Sequence, residues 1–277
     1  MQVGEVKPGG LQLSASRVEC RNSRGCRVAE YLATPEGRQI AYHRVPGKVP
    51  GVVFLGGFRS DMTGTKAANL AEWASAQNRA FVRFDYSGHG QSSGLFEDGT
   101  IGDWLQDARA VLEMLTEGPQ VLVGSSMGGW IACLLAREVP GRVAGLVGIA
   151  AAPDFTEDSM WAGLSPAQQA SLLADGRIAL SSEFSDTPYV ITRRLIEEAR
   201  SHLVLRSPLP MPFPVRLLHG EADADVPTQV CLQLFGHISG NDVQMILVKD
   251  AYHRFSSVAC LTSIKAAIRD VLAESSG

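Results

Sequence analysis

Val121-Leu122-Val123-Gly124-Ser125-Ser126-Met127-Gly128-Gly129-Trp130-Ile131-Ala132-Cys133-Leu134-Leu135 passes from a short apolar run, through a glycine-flanked serine, into a longer apolar run. Residues 124–128 fit the pattern G-x-S-x-G, which average glycine and serine usage produces by chance about once in ten chains of this length. A second match, Gly90-Gln91-Ser92-Ser93-Gly94, sits in a polar, glycine-rich loop. Context separates the two. A strand that turns straight into a helix exposes the serine hydroxyl on a sharp bend and points the helix N-terminus at charge developing there. Only the first match has an apolar strand before it and an apolar helix after it. Ser126 is therefore the candidate nucleophile, and Ser92 reads as a loop residue.

Outward from this turn, short β-branched runs alternate with amphipathic stretches, which predicts an α/β chain with a mostly parallel central sheet and helices on both faces. Strands are expected at Gln39–Arg44, Val52–Leu55, Ala80–Phe84, Gln120–Gly124, Val143–Ile149, Val215–His219 and Val243–Val248. Helices are expected at Lys66–Ala76, Ile101–Leu115, Met127–Arg137, Thr228–Phe235 and Ser257–Ala273. The stretch between Ala150 and Pro214 is too long for a simple crossover, so an inserted helical cap is expected at about 153–212. Its helices are expected at Ser165–Ala174 and Val190–Leu205, with prolines breaking the connections. The body then spans residues 35–277, and residues 1–34 form a flexible N-terminal extension.

Composition excludes several function classes. Of 277 residues, 45% are hydrophobic and 19% charged, outside the range in which chains stay disordered. Lys and Arg number 25 against 29 Asp and Glu, a net charge of -4 that provides no basic field for nucleic acid. The most apolar segment, Val143 to Ala152, stops at Pro153, well short of a membrane span. The five cysteines, Cys20, Cys26, Cys133, Cys231 and Cys260, are odd in number and mostly within apolar runs, as expected of reduced thiols. No His or Cys pair has ligand spacing, so neither a metal nor a cofactor is expected.

Ser126 needs a base and an orienting acid, and the chain order serine, acid, histidine asks for both after the late strands. His253, in Asp250-Ala251-Tyr252-His253-Arg254-Phe255, lies in the loop following the last strand. Asp223 lies in the turn Gly220-Glu221-Ala222-Asp223-Ala224-Asp225 after the preceding strand, while Asp225, next to Val226-Pro227, suits a helix cap. An oxyanion needs two backbone N–H donors: Met127 supplies one by position, and Phe58, after Leu55-Gly56-Gly57, the other. Within the cap, Trp161, Phe184 and Tyr189, with Phe155, Met160, Leu164, Leu172 and Leu173, either line an acyl groove or build the cap's own core. Arg193 and Arg194 either attract an anionic sugar or form a solvated helix face.

Taken together, from about Thr34 to the C-terminus, these segments resemble the α/β-hydrolase superfamily. The segments Gly56-Gly57-Phe58-Arg59-Ser60-Asp61-Met62-Thr63-Gly64-Thr65-Lys66-Ala67 and Phe84-Asp85-Tyr86-Ser87-Gly88-His89-Gly90-Gln91-Ser92-Ser93-Gly94 are similar to a narrower branch of it. That branch is α/β-hydrolase domain-containing protein 10, the mitochondrial palmitoyl-protein thioesterase and mycophenolic acid acyl-glucuronide esterase. The resemblance implies an α/β-hydrolase fold, a triad at Ser126, Asp223 and His253, and S-acylated proteins or small acyl esters as substrates. It also implies a mitochondrial address, with the cytoplasm as the alternative; Arg17, Arg21, Arg24 and Arg27 give a transit-like composition that Glu19 and Glu30 interrupt. Leu55 departs from the pattern, standing where many hydrolases place a histidine before the glycines. A serine peptidase, an acyltransferase or a non-catalytic binding protein on the same scaffold are the alternatives, the last requiring a broken triad.

Overall fold

A computed structural model describes residues 28–182 and 185–275 of the chain. In chain order the body runs through β1 (Glu30–Ala33), β2 (Gln39–Val45), β3 (Lys48–Leu55), α1 (Thr65–Ala76), β4 (Arg79–Phe84), α2 (Ile101–Leu115), β5 (Gln120–Ser125), α3 (Met127–Glu138) and β6 (Val143–Ile149). The cap follows: a π-helical turn at Thr156–Trp161, α4 (Pro166–Asp175), β7 (Arg177–Ser182), β8 (Ser185–Thr192) and α5 (Arg193–Ala199). The chain returns through β9 (Leu209–Pro210), β10 (Val215–Gly220), α6 (Thr228–His237), β11 (Ile238–Ser239), β12 (Val243–Val248) and α7 (Val258–Glu274).

Eight strands form one sheet in the order β1-β2-β4-β3-β5-β6-β10-β12. β1 and β2 are antiparallel to their neighbours, and every pairing from β4 to β12 is parallel. Because side chains alternate across a strand, continuous apolar runs serve two faces at once. Val53, Leu55, Val82 and Leu122 pack under α2 and α3, while Val52, Phe54, Val121 and Val123 pack under α1 and α7. The α/β class with a mostly parallel sheet is thus the observed one.

Three differences from the expected elements have physical reasons. The sheet begins at Glu30 rather than after residue 34: β1 pairs with β2 from Glu30↔Tyr42 to Ala33↔Gln39, an edge strand of four residues, too short to show a pattern. Of the extension expected over residues 1–34, residues 1–27 lie outside the described residues. The cap holds a hairpin as well as helices, β7 pairing antiparallel with β8. The helix expected over Val190–Leu205 starts only at Arg193, because the β-branched run Val190-Ile191-Thr192 completes β8; Thr192 Oγ1 then accepts the Leu195 N–H at 3.1 Å as the cap of α5.

Candidate active site

The end of β5 carries Ser126 into α3 on a backbone of φ 54° and ψ -119°, a left-handed conformation uncommon for a residue with a side chain. Hydrogen bonds hold it there: Ser126 N–H donates to the Ile149 carbonyl at 2.9 Å, and its own carbonyl accepts from Gly129 (2.9 Å) and Ala152 (3.1 Å). Glycine is required on both sides. A Cβ on Gly124 would run into the Gly128 carbonyl, and one on Gly128 into that of Leu55.

Two further loops converge on Ser126. His253, between β12 and α7, places Nε2 at 3.1 Å from Ser126 Oγ, and its Nδ1 lies 2.9 Å from Asp223 Oδ2 in the turn after β10. Ionised Asp223 can only accept, so the proton sits on Nδ1 and Nε2 is left to accept from the serine hydroxyl. The remaining carboxylate oxygen, Oδ1, accepts the N–H groups of Asp225 (3.0 Å) and Val226 (2.9 Å). Burial alone would raise this carboxyl, but the hydrogen bonds from His253 and Val226 and the nearby imidazoles outweigh it and hold it below the usual carboxylate range. The two loops are tied to each other as well, since Ala222 N–H donates to the Ala251 carbonyl at 3.1 Å. Asp223, Asp225 and His253 each bring a possible metal-ligating atom within 4.8 Å of the others, yet the Asp223 oxygens and His253 nitrogens are engaged by the bonds just named.

The loop after β3 supplies the other wall. A Cβ on Gly57 would stand 3.3 Å from Ser126 Cβ, a tight contact that glycine avoids as this loop approaches the serine. Among the described residues the N–H groups of Phe58 and Met127 have no hydrogen-bond partner. Phe58 is fixed by edge-on contacts with Phe96, Trp104 and Phe155, ring centroids 4.9, 5.9 and 5.5 Å away.

Several residues that sequence reasoning left aside build this loop. Asp85, buried at the end of β4, accepts Met62 N–H at 2.6 Å and Gln91 N–H at 2.8 Å. His89, also buried, donates Nδ1–H to the Ser87 carbonyl (3.1 Å) and accepts Arg59 N–H at Nε2 (3.2 Å). Burial lowers its pKa from the ordinary value, which favours the neutral ring that this pattern needs. Behind His89, buried Asp107 binds Ser87 N–H and Oγ–H at 2.8 and 2.6 Å and Arg38 at 2.6 Å. His219 supports the acid loop by donating Nε2–H to the Val226 carbonyl at 2.8 Å. Its position four residues before Asp223 was the one available signal. Ser92, the rejected serine, is used structurally, donating to the Asp85 carbonyl at 2.6 Å and accepting Ala41 N–H at 2.8 Å.

The cap candidates separate. Trp161 packs with Leu164 and Leu172 in the cap's own apolar cluster, with the Arg200 guanidinium 5.2 Å above its ring. Tyr189 borders that cluster and also lines a cavity of about 680 Å³. Phe184 lies outside the described residues. Arg193 pairs with Glu197 at 2.8 Å and Arg194 with Asp103 at 3.1 Å.

Comparison with known proteins gives the family of the chain. Residues 50–194 match the serine aminopeptidase S33 family of hydrolases. The human mitochondrial palmitoyl-protein thioesterase ABHD10 is 34% identical over 270 residues, covering 95% of this chain and 88% of that protein. The chain belongs to the ABHD10 family of α/β-hydrolases. The bovine ABHD10 is 37% identical over 253 residues, covering 90% of this chain and 82% of that one. The structure of mouse ABHD10 superposes with a TM-score of 0.82 at 37% identity, over 88% of this chain and 98% of that one. A structure described as a hydrolase from Agrobacterium vitis gives 0.84 at 39% identity over the same shares. The ABHD10 likeness therefore runs through body and cap together, and the chain is a hydrolase of that type. Among the described residues, no helix is long and apolar enough to cross a membrane.

Proposed function

We propose that the chain is a serine hydrolase that cleaves acyl thioesters, S-palmitoyl proteins among them, and acyl-glucuronide esters through an acyl-enzyme. The observation that carries the reading is the unbroken line from Ser126 Oγ through His253 to Asp223, at 3.1 and 2.9 Å. His253 takes the Ser126 proton as Oγ attacks the acyl carbonyl, and the N–H groups of Phe58 and Met127 receive the negative oxygen. The imidazolium returns its proton to the departing thiol or alcohol. Water, deprotonated by the same Nε2, then releases the acid and restores the serine. Asp223 keeps the imidazole in the tautomer that accepts and stabilises its charged form. The relatives named as palmitoyl-protein thioesterases supply the substrate class, and their mitochondrial naming supplies the proposed location.

The test is hydrolysis of a palmitoyl-thioester reporter and an aryl acyl-glucuronide by wild type and Ser126→Ala. Turnover of either that disappears in the variant is expected. A folded wild type inert on both overturns the substrate assignment. An aminoacyl anilide run alongside tests the peptidase reading that the family match raises; turnover of it in preference to both esters would replace the thioesterase assignment.

A further inference from the structure

We propose that Arg59 is the receptor for a carboxylate carried by the leaving group of the substrate, an inference that rests on the hydrolase reading above. Arg59 directly follows Phe58, the candidate oxyanion donor, and lines the cavity of about 680 Å³ on that flank of the loop. Its guanidinium has no ion pair or hydrogen bond among the described residues. Two rings orient it instead, Phe96 and Tyr189, each with its centroid 5.8 Å from the guanidinium carbon. A guanidinium held by its face keeps its edge N–H donors free, and their fork matches a carboxylate. The backbone is committed to this placement: Arg59 holds φ 57°, where a residue with a side chain is strained, and buried His89 fixes it by accepting its N–H.

The other charges around the cavity are engaged or face water. Arg177 pairs with Glu97 at 3.3 Å, Asp61 accepts from Thr63 N–H and Oγ–H at 2.7 and 2.5 Å, and Asp98 is exposed. The opposite flank of Phe58 differs in kind. Beyond Phe155 lies a smaller compartment of about 160 Å³, walled by Phe155, Leu205, Val226 and Val230 with Asp158 and Asp225 at its margin. Apolar walls suit the head of an acyl chain, and the lining holds no Lys, Arg or His to pair with an anion; a cavity of about 150 Å³ is known to take a benzene ring. The carboxylate therefore belongs on the Arg59 side, with the leaving group.

The test compares kcat/KM for 4-butyryloxybenzoate and for its neutral carboxamide analogue in wild type, Arg59→Met and Arg59→Lys. The preference for the carboxylate, as a ratio of the two values, is expected to fall about tenfold or more in Arg59→Met and to be partly retained in Arg59→Lys. A ratio unchanged in Arg59→Met, including equal losses on both substrates, overturns the proposal and leaves Arg59 a structural contact of the cap. Calorimetric binding of 4-hydroxybenzoate separates this from failure of the hydrolase reading. If wild type hydrolyses neither ester, about tenfold weaker binding by Arg59→Met still supports the receptor, and equal binding by the two proteins refutes it.

Discussion

Asp223 is the residue whose geometry constrains the chemistry most, because it is buried, spends one oxygen on backbone N–H groups and gives the other to His253. Asp223→Asn offers an amide in its place, which supports the wrong imidazole tautomer; kcat is expected to fall about 10⁴-fold while the fold persists. Steady-state kinetics with a thermal melt checks this, and a loss below tenfold in a folded variant would show that Asp223 does not orient the base. His219 acts one step further back. His219→Leu removes the donor to the Val226 carbonyl and leaves that acceptor buried, so stability should drop by about 1–3 kcal/mol in urea titration. The serine, acid and histidine positions were legible because each lies in the turn or loop that follows a strand the apolar pattern marks. The helpers Asp85, His89 and Asp107 were not, since their partners are set by the loop's folded path: Asp85 reaches back 23 residues to Met62, and Asp107 reaches 69 to Arg38.

The element that decides how cap meets body is the pair of cap roots joined at Asp154. Its buried carboxylate accepts Val204 N–H and Leu205 N–H, each at 2.8 Å, joining the outgoing and returning segments of the insertion. Trp130 on α3 donates to the His202 carbonyl at 3.0 Å, and Glu198 on α5 accepts Gly102 N–H of α2 at 3.2 Å, so the cap is docked at several points. Burial raises the Asp154 pKa despite these bonds. A carboxyl raised by folding adds stability below its unfolded value of about 3.9 and loses it as pH rises through the folded value. The stability margin of wild type over Asp154→Asn should therefore widen as pH falls from 7 towards 4. Urea titrations at both values check this, and a constant margin would contradict it. The cap is also where reading by pattern failed, for it carries a hairpin and a short helix whose borders depend on cross-strand pairing rather than on periodicity.

At the scale of the molecule, the sheet was the most legible feature. Parallel strands in a sheet covered on both faces are rich in apolar residues, and each observed strand from β3 to β6, and β10 and β12, overlaps an expected one. What escaped was the antiparallel margin at β1, only four residues long, and the two-residue pairing of β9 with β11, which offers no pattern to see. The parallel order places the C-terminal ends of β3, β5, β10 and β12 along one edge, which is why Phe58, Ser126, Asp223 and His253 meet although the chain separates them widely. The claim that Ser126, not Ser92, is the nucleophile meets its most direct test in fluorophosphonate labelling of the full chain with mass mapping of the peptides. A single adduct on Ser126, absent in Ser126→Ala and much slower to form in His253→Ala, is expected. An adduct on Ser92, or none on a folded chain, would contradict it.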